Sequence, residues 1–382
     1  MTRAGDTVSS PDQAGGDVAL EALYRDLAAA HLRPLWTITE QLLTPQPRPK
    51  AVPWLWPAAT MKPLARRAIS LVPVERGGER RVLSLQNPGL GGRPYAAGTL
   101  WGALQCLGPR ETAPAHRHTP GAIRWVLEGE GVWTTVNGDA CDMRPGDLVL
   151  TPSWNWHDHV NGGDSEMFWF DGLDLPMVEA LDAVFFEGYP GPGENQPEPA
   201  EHNTSERAHG GGTRYTAGAV DGPLAPGPSP LLIYRWADTA EELDRRARAT
   251  DEALIALEYV NPATGASVLP TLGCAVHRVR AGGRTAAVRR AGNAVYVAFQ
   301  GHGSTVIDGQ RLDWGPGDMF VAPSWSAVEH FSAEQADLFF LTDAPVLRAL
   351  GIYREQVLPA RQEVTSVFTP LPQSARTAVE AS

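Results

Sequence analysis

Two short patterns recur in the 382-residue chain at a single spacing, and they limit the fold more than any other feature. Pro-Gly-Asp stands at Pro145–Asp147 and again at Pro316–Asp318, and Pro-Ser-Trp at Pro152–Trp154 and at Pro323–Trp325. Gly129–Gly131 (GEG) meets Gly301–Gly303 (GHG) at a spacing one residue longer. Internal repetition of this kind indicates two copies of one structural unit. Around both copies lie short apolar runs broken by Gly and Pro, such as GTLWGALQCLGPRE, IRWVLEGEGVWTTVNGD and GDLVLTPSW, which read as strands and turns. Asn137-Gly138-Asp139 is a hairpin signal. With 33 Pro and 39 Gly, turns and short strands are expected to outweigh long helices.

Helical periodicity is confined to three places. Leu20, Leu23, Tyr24, Leu27 and His31 recur every three or four residues, MKPLARRAISLVP reads as a second helix, and residues 241–255 as a third. The expected organisation is therefore all-β with a helical N-terminal arm. It comprises a disordered tail (1–16), the arm (17–80), a first β unit (81–190), a linker or long loop (191–230), a second β unit (231–360) and a C-terminal tail (361–382).

Composition excludes several classes of function. A net charge of −12 and the lack of any long basic run argue against nucleic-acid binding. No apolar run reaches membrane-spanning length, and the polar N-terminus has no signal-peptide core, so a cytoplasmic location is expected. Cys106, Cys141 and Cys274 form no CxxC and read as buried thiols.

The chemistry is carried by His116, His118 and His157. Residues i and i+2 of a strand share a face, so two imidazoles from one strand and one from a later strand can hold a metal with positions left open. Three protein ligands with open positions is a catalytic pattern. Imidazole suits iron, zinc, copper and nickel, so spacing leaves the metal open. Arg124 has the same strand parity as His118 and can pair with a planar anion, or else with Glu128 or Glu130 at the surface. His31, His202, His209 and His277 have no partner at ligand spacing and read as surface or ordinary structural residues. Trp125, Trp133, Trp154 and Trp169 read as core.

Gly146, Pro152, His157 and Asn161 match the second motif of the cupin superfamily, with Trp154 in place of its middle Gly; His116 and His118 match the first motif. Ala122 and Ile123 occupy the first motif's Glu position, which leaves three histidines. More closely, APAHRHTPGAIRWVLEGEG, RPGDLVLTPSWNWHDH, ERRVLSLQNPGL and PRPKAVPWLWP resemble the bicupin ring-cleaving dioxygenases of gentisate, salicylate and 1-hydroxy-2-naphthoate, over about Trp36 to Leu350.

That resemblance implies a bicupin of two double-stranded β-helix barrels, Fe(II) on His116, His118 and His157, and substrate contacts at Arg124, Trp101, Gln105 and either Arg80 or Arg81. It also implies His159 as a hydrogen-bonding or proton-transfer group and Asp171 as an acid near the ligands. For His159 a structural role stands beside this, because His330 keeps its place in the second copy; for Asp171 a turn before Gly172 does. Val288, Arg290 and Val328 replace the three ligands in that copy, so one metal per chain is expected. The implied reaction inserts both atoms of O2 between the carboxyl- and hydroxyl-bearing carbons of a hydroxylated aromatic carboxylate. Gentisate is the modal substrate, and a homotetramer is the implied assembly. Thr119-Pro120-Gly121 departs from the polar stretch common in gentisate enzymes. The alternative is a non-catalytic bicupin that binds a small aromatic carboxylate.

Overall fold

At Asn137 and Gly138 the backbone takes φ of 46° and 83°, the paired positive angles of a tight hairpin turn. Asp308 and Gly309 repeat them at 47° and 84°. The two turns mark equivalent points of two equivalent barrels. The computed structural model describes residues 11–73, 81–217 and 227–370, with side chains from Gly16 onward.

Up to Arg48 the described residues form one unit: α1 (Pro11–Ala29), a single 3₁₀ turn (Leu35–Thr37) and α2 (Thr39–Leu42). α1 begins inside the segment expected to be unstructured; residues 1–10 and 371–382 lie outside the described residues. The remainder, from Pro49, forms the second unit. It opens with β1 (Trp54–Trp56), α3 (Ala58–Leu71) and β2 (Val82–Ser84). The first barrel follows as β3 (Trp101–Leu107), β4 (Thr112–His118), β5 (Ala122–Glu128), β6 (Val132–Val136), β7 (Asp139–Asp142), β8 (Leu148–Thr151), β9 (His157–Asn161) and β10 (Met167–Leu173). Next come α4 (Leu175–Ala180), β11 (Phe186–Gly188), α5 (Thr204–His209), β12 (Tyr215–Thr216), β13 (Ile233–Tyr234), α6 (Trp236–Ala247) and β14 (Leu254–Tyr259). The second barrel is β15 (Gly273–Val279), β16 (Val288–Arg290), β17 (Ala294–Gln300), β18 (Gly303–Ile307), β19 (Gln310–Trp314), β20 (Met319–Ala322), β21 (Ala327–Phe331) and β22 (Ala336–Thr342). It is followed by α7 (Ala344–Ala349), β23 (Glu355–Val357) and β24 (Ser366–Val367).

Each barrel is closed by two sheets. The first uses β13-β8-β5-β10-β3-β2 and β11-β4-β9-β6-β7; the second uses β1-β20-β17-β22-β15-β14-β12 and β23-β16-β21-β18-β19-β24. Alternation sorts each strand into two faces. Outward residues of the first barrel (Leu104, Trp125, Leu150, Phe170) join those of the second (Val276, Val297, Val321, Phe339) in one core between the barrels. Trp125 stacks on Phe339 there at 4.4 Å. Cys106, Cys141 and Cys274 are free and buried, as expected.

The recurrent Pro-Gly-Asp has a reciprocal role. β1 precedes the first barrel yet pairs with β20 of the second, while β13 pairs with β8 of the first. Asp318 accepts the backbone N–H of Ala58, the first residue of α3, at 2.7 Å. Asp147 accepts that of Trp236, the first residue of α6, at 2.9 Å. A carboxylate at a helix N-terminus satisfies an orphan N–H and favours the dipole. Gly146 sits at φ 85°, and a Cβ there would meet Trp236 Cγ at 2.5 Å, so only glycine lets α6 start at that point.

Two expectations are corrected. Residues 241–255 are not one helix: α6 ends at Ala247, and Ile255, Leu257 and Tyr259 alternate along β14 into the core between the barrels. Trp154 is not core. It takes φ of 62° and is 37% exposed, because the turn that aims His157 inward leaves this side chain outside. The Arg117 guanidinium covers it at 4.4 Å.

Candidate metal centre

His116 and His118 project from one face of β4, and β9 brings His157 opposite His116 in register. One nitrogen from each ring lies within 4.8 Å of the others. The opposite nitrogens are engaged with the backbone. His116 Nδ1 lies 2.9 Å from Pro114 O, His118 Nδ1 2.8 Å from Pro120 O, and His157 Nδ1 3.0 Å from Asn155 O. A carbonyl accepts, so each Nδ1 carries the proton and each Nε2 presents its lone pair to the common centre. The Thr119-Pro120-Gly121 segment thus supplies a carbonyl that orients a ligand.

Electrostatics favour the same state. Burial, and then the neighbouring His116, lower His118 to about 4. Burial holds His157 well below the usual imidazole range, with His116 and Arg124 adding to it. Both rings are therefore neutral at neutral pH, the form that binds a metal. His157 Nε2 is buried without a hydrogen-bond partner. Such an orphan costs free energy, and a cation at the centre removes that cost, so the three residues fit a divalent metal. The counterparts in the second barrel are Val288, paired with Val328, and Arg290. Among the described residues the histidine triad is the one cluster with metal-ligand spacing.

Arg124 lies on β5 and is 4% exposed. It is not paired with Glu128, which meets Lys62 at 2.5 Å, nor with Glu130. Instead its Nε lies 3.4 Å from Asp171 on β10, its Nη1 donates to Thr151, and its Nε makes no hydrogen bond. Asp171 is raised to about 6 by burial, against the pull of Arg124 and a 3.1 Å hydrogen bond from Trp169 Nε1. It is a buried partner of Arg124 rather than a free turn residue. Arg124 also depresses His118, His157 and His159, so its charge is felt throughout this interior.

His159 is buried, with Nδ1 2.8 Å from Thr134 Oγ1. His330 and Thr305 repeat that pair at 2.8 Å in the other barrel, so this half of the ring has a structural partner in both copies. Its Nε2 makes no hydrogen bond among the described residues, and burial keeps the ring neutral. Trp101 and Gln105 stand across from Leu173 and Trp169 in register, on the face that carries Asp171. Arg80 lies outside the described residues. Arg81 is not available to a substrate: it is buried, bonded to Glu111 and to Ile69 O at 3.0 Å.

Three neighbours escape sequence reasoning. Phe186 stacks on His116 at 5.3 Å because β11 pairs with β4, a long-range contact with no local signal. Thr134 is likewise invisible as a partner of His159. Thr151 alone had a signal, ending the GDLVLT run at inward parity.

With this geometry in hand, comparison with known proteins is decisive. Residues 103–173 match the cupin domain model. The chain is 45% identical to a gentisate 1,2-dioxygenase of Streptomyces sp over 88% of its own length and 94% of that protein. It is 37% identical to a 5-aminosalicylate 1,2-dioxygenase of Comamonas sp over 97% and 99% of the two chains. The chain belongs to the bicupin ring-cleaving 1,2-dioxygenase family. The salicylate 1,2-dioxygenase of Pseudoaminobacter salicylatoxidans, solved with gentisate adducts, superposes with a TM-score of 0.81 at 40% identity, covering 94% of this chain and 98% of that one. The family is metal-dependent, in line with the histidine triad, and the expected two-barrel fold is the one observed. No helix among the described residues is long and apolar enough to cross a membrane.

Proposed function

We propose that the chain uses Fe(II) to cleave a hydroxylated aromatic carboxylate between its carboxyl- and hydroxyl-bearing carbons, with gentisate as the first substrate to test. The supporting observation is a three-histidine centre, with His118 and His157 neutral, in the same buried interior as Arg124. Three uncharged ligands leave a dication its full charge, which a chelating carboxylate and phenolate would complement. Bound at His116, His118 and His157, Fe(II) would supply positions at which the aromatic acid and O2 are held together.

The protein side of the reaction is orientation and proton placement. Arg124 donates to the substrate carboxylate, while Thr151 and Asp171 keep its guanidinium in one plane. His159 Nε2 hydrogen-bonds a ring substituent and stays neutral, so it can accept a proton there. Asp171, with its raised affinity for protons, is a second acceptor. Trp101 and Gln105 line the ring's side of the interior, and Phe186 covers His116. The proposed assembly is a homotetramer, measurable by light scattering.

The test is oxygen uptake and ultraviolet absorbance of ring-opened product with gentisate, salicylate and 1-hydroxy-2-naphthoate. The Fe(II)-loaded protein is held first without air and then with it. Expected is one O2 consumed per ring opened, only after air is admitted. Metal-loaded protein that binds these acids and opens none would instead be a binding protein.

A further inference from the structure

The second barrel has lost its ligands but not its interior. A cavity of about 320 Å³ opens in it, within the range of small-molecule sites. A barrel kept only as scaffold would be filled to crystal-like density. Here Ala256, Ala275, Ala294 and Ala322 stand at inward positions of four strands and leave the space open. The ladders show what changed between the barrels. Arg124 pairs across β10 with Asp171, whereas Tyr296 pairs across β22 with Phe340. The polar, charged floor of one barrel is an aromatic floor in the other.

Two groups of this lining lack partners. His277 is buried, 8% exposed, and stacks on Phe340 at 5.0 Å. Its Nδ1 makes no hydrogen bond, and burial keeps the ring neutral. Of the two expectations for it, surface or structural, burial rules out the surface position. At the rim, Arg348 lies over the Tyr353 ring at 4.5 Å and has no acidic partner among the described residues; its Nε is buried without a hydrogen bond. The rim's other cation, Arg290, is neutralised by Glu355 at 3.1 Å, and Glu355 also accepts from Tyr353 at 2.9 Å. Glu258 is the remaining carboxylate of the lining.

We propose that this cavity is a second, metal-free site for a small aromatic monocarboxylate, its ring against Tyr296 and Phe340 and its carboxylate on Arg348. Aromatic walls favour a flat ring in offset or edge contact. An unpaired guanidinium favours a planar anion. His277 Nδ1 is left to meet a ring substituent. The reading does not depend on the reaction of the first barrel.

Equilibrium dialysis of radiolabelled benzoate against the full-length metal-loaded protein tests it, with gentisate turnover of the same samples followed separately. Expected are two benzoates per chain in the wild type and one in Arg124→Ala. In Arg348→Gln the second class weakens by at least about tenfold, with gentisate kcat/KM within twofold of wild type. Ala294→Leu, which fills the cavity while keeping the charges, is expected to remove the same class. A single benzoate per chain that Arg348→Gln leaves in place, or none, overturns the proposal. So does a second class that survives both Arg348→Gln and Ala294→Leu. Loss of gentisate turnover with two benzoates still bound would instead count against the first-barrel reading alone.

Discussion

Replacing Arg124 by alanine tests binding and stability at once, because its guanidinium faces the proposed substrate carboxylate while sitting 3.4 Å from Asp171. Hydrogen bonds to charged groups contribute roughly 1.5–3 kcal/mol, and about 1.4 kcal/mol is tenfold, so KM for gentisate should rise about 10- to 150-fold. The three imidazoles do not depend on Arg124 for position, since their Nδ1 atoms are held by Pro114, Pro120 and Asn155. Metal content should therefore be unchanged. Breaking a buried pair costs about 3–5 kcal/mol when the other charge is stranded. Here the Asp171 carboxyl, already at about 6, can rise further and take a proton, which keeps the loss near the lower bound and makes it grow with pH. The assay is kcat and KM by product absorbance, iron by elemental analysis, and denaturant midpoints at pH 6 and 8. A KM within twofold of wild type, with iron retained, would refute the carboxylate contact. A midpoint loss equal at both pH values would refute the coupling to Asp171.

In His157→Ala the centre loses its most buried ligand, and both bound metal and ring cleavage should vanish; retention of either rejects the ligand set. Asp171 has a folded value of about 6 against roughly 3.9 unfolded, so the folded state binds its proton more tightly. Its stabilising contribution is present at low pH and is lost as pH rises from about 4 through 6, a change of about 3 kcal/mol. Asp171→Asn should flatten that part of the stability profile measured by urea unfolding, and parallel curves would contradict it. Gly146→Ala places a Cβ 2.5 Å from Trp236 at φ 85° and should cost about 2–3 kcal/mol; a loss below about 0.5 kcal/mol would mean that α6 can start elsewhere.

The repeat, the Asn137-Gly138 hairpin turn and the histidine triad were legible in the sequence because residue identity and spacing carry each of them. Period-2 alternation puts His116 and His118 on one face, and Asn-Gly needs only its own backbone angles. The departures arose where a distant element intervenes. Trp154 reads as core by residue type, yet its turn holds it outward against Arg117. Arg81 had as good a claim as Arg80 until Glu111, near in space but remote in chain, took it.

The sequence by itself determined that there are two copies of one β unit, that one of them carries three histidines, and that the other lacks all three. Those conclusions need only residue identity and spacing. Tertiary structure alone decided that the lead-in strand of each barrel pairs with the other barrel, that Asp171 is the partner of Arg124, and that an aromatic cavity remains behind Arg348. These depend on register between strands far apart in the chain, where a shift of one residue would turn every side chain to the opposite face.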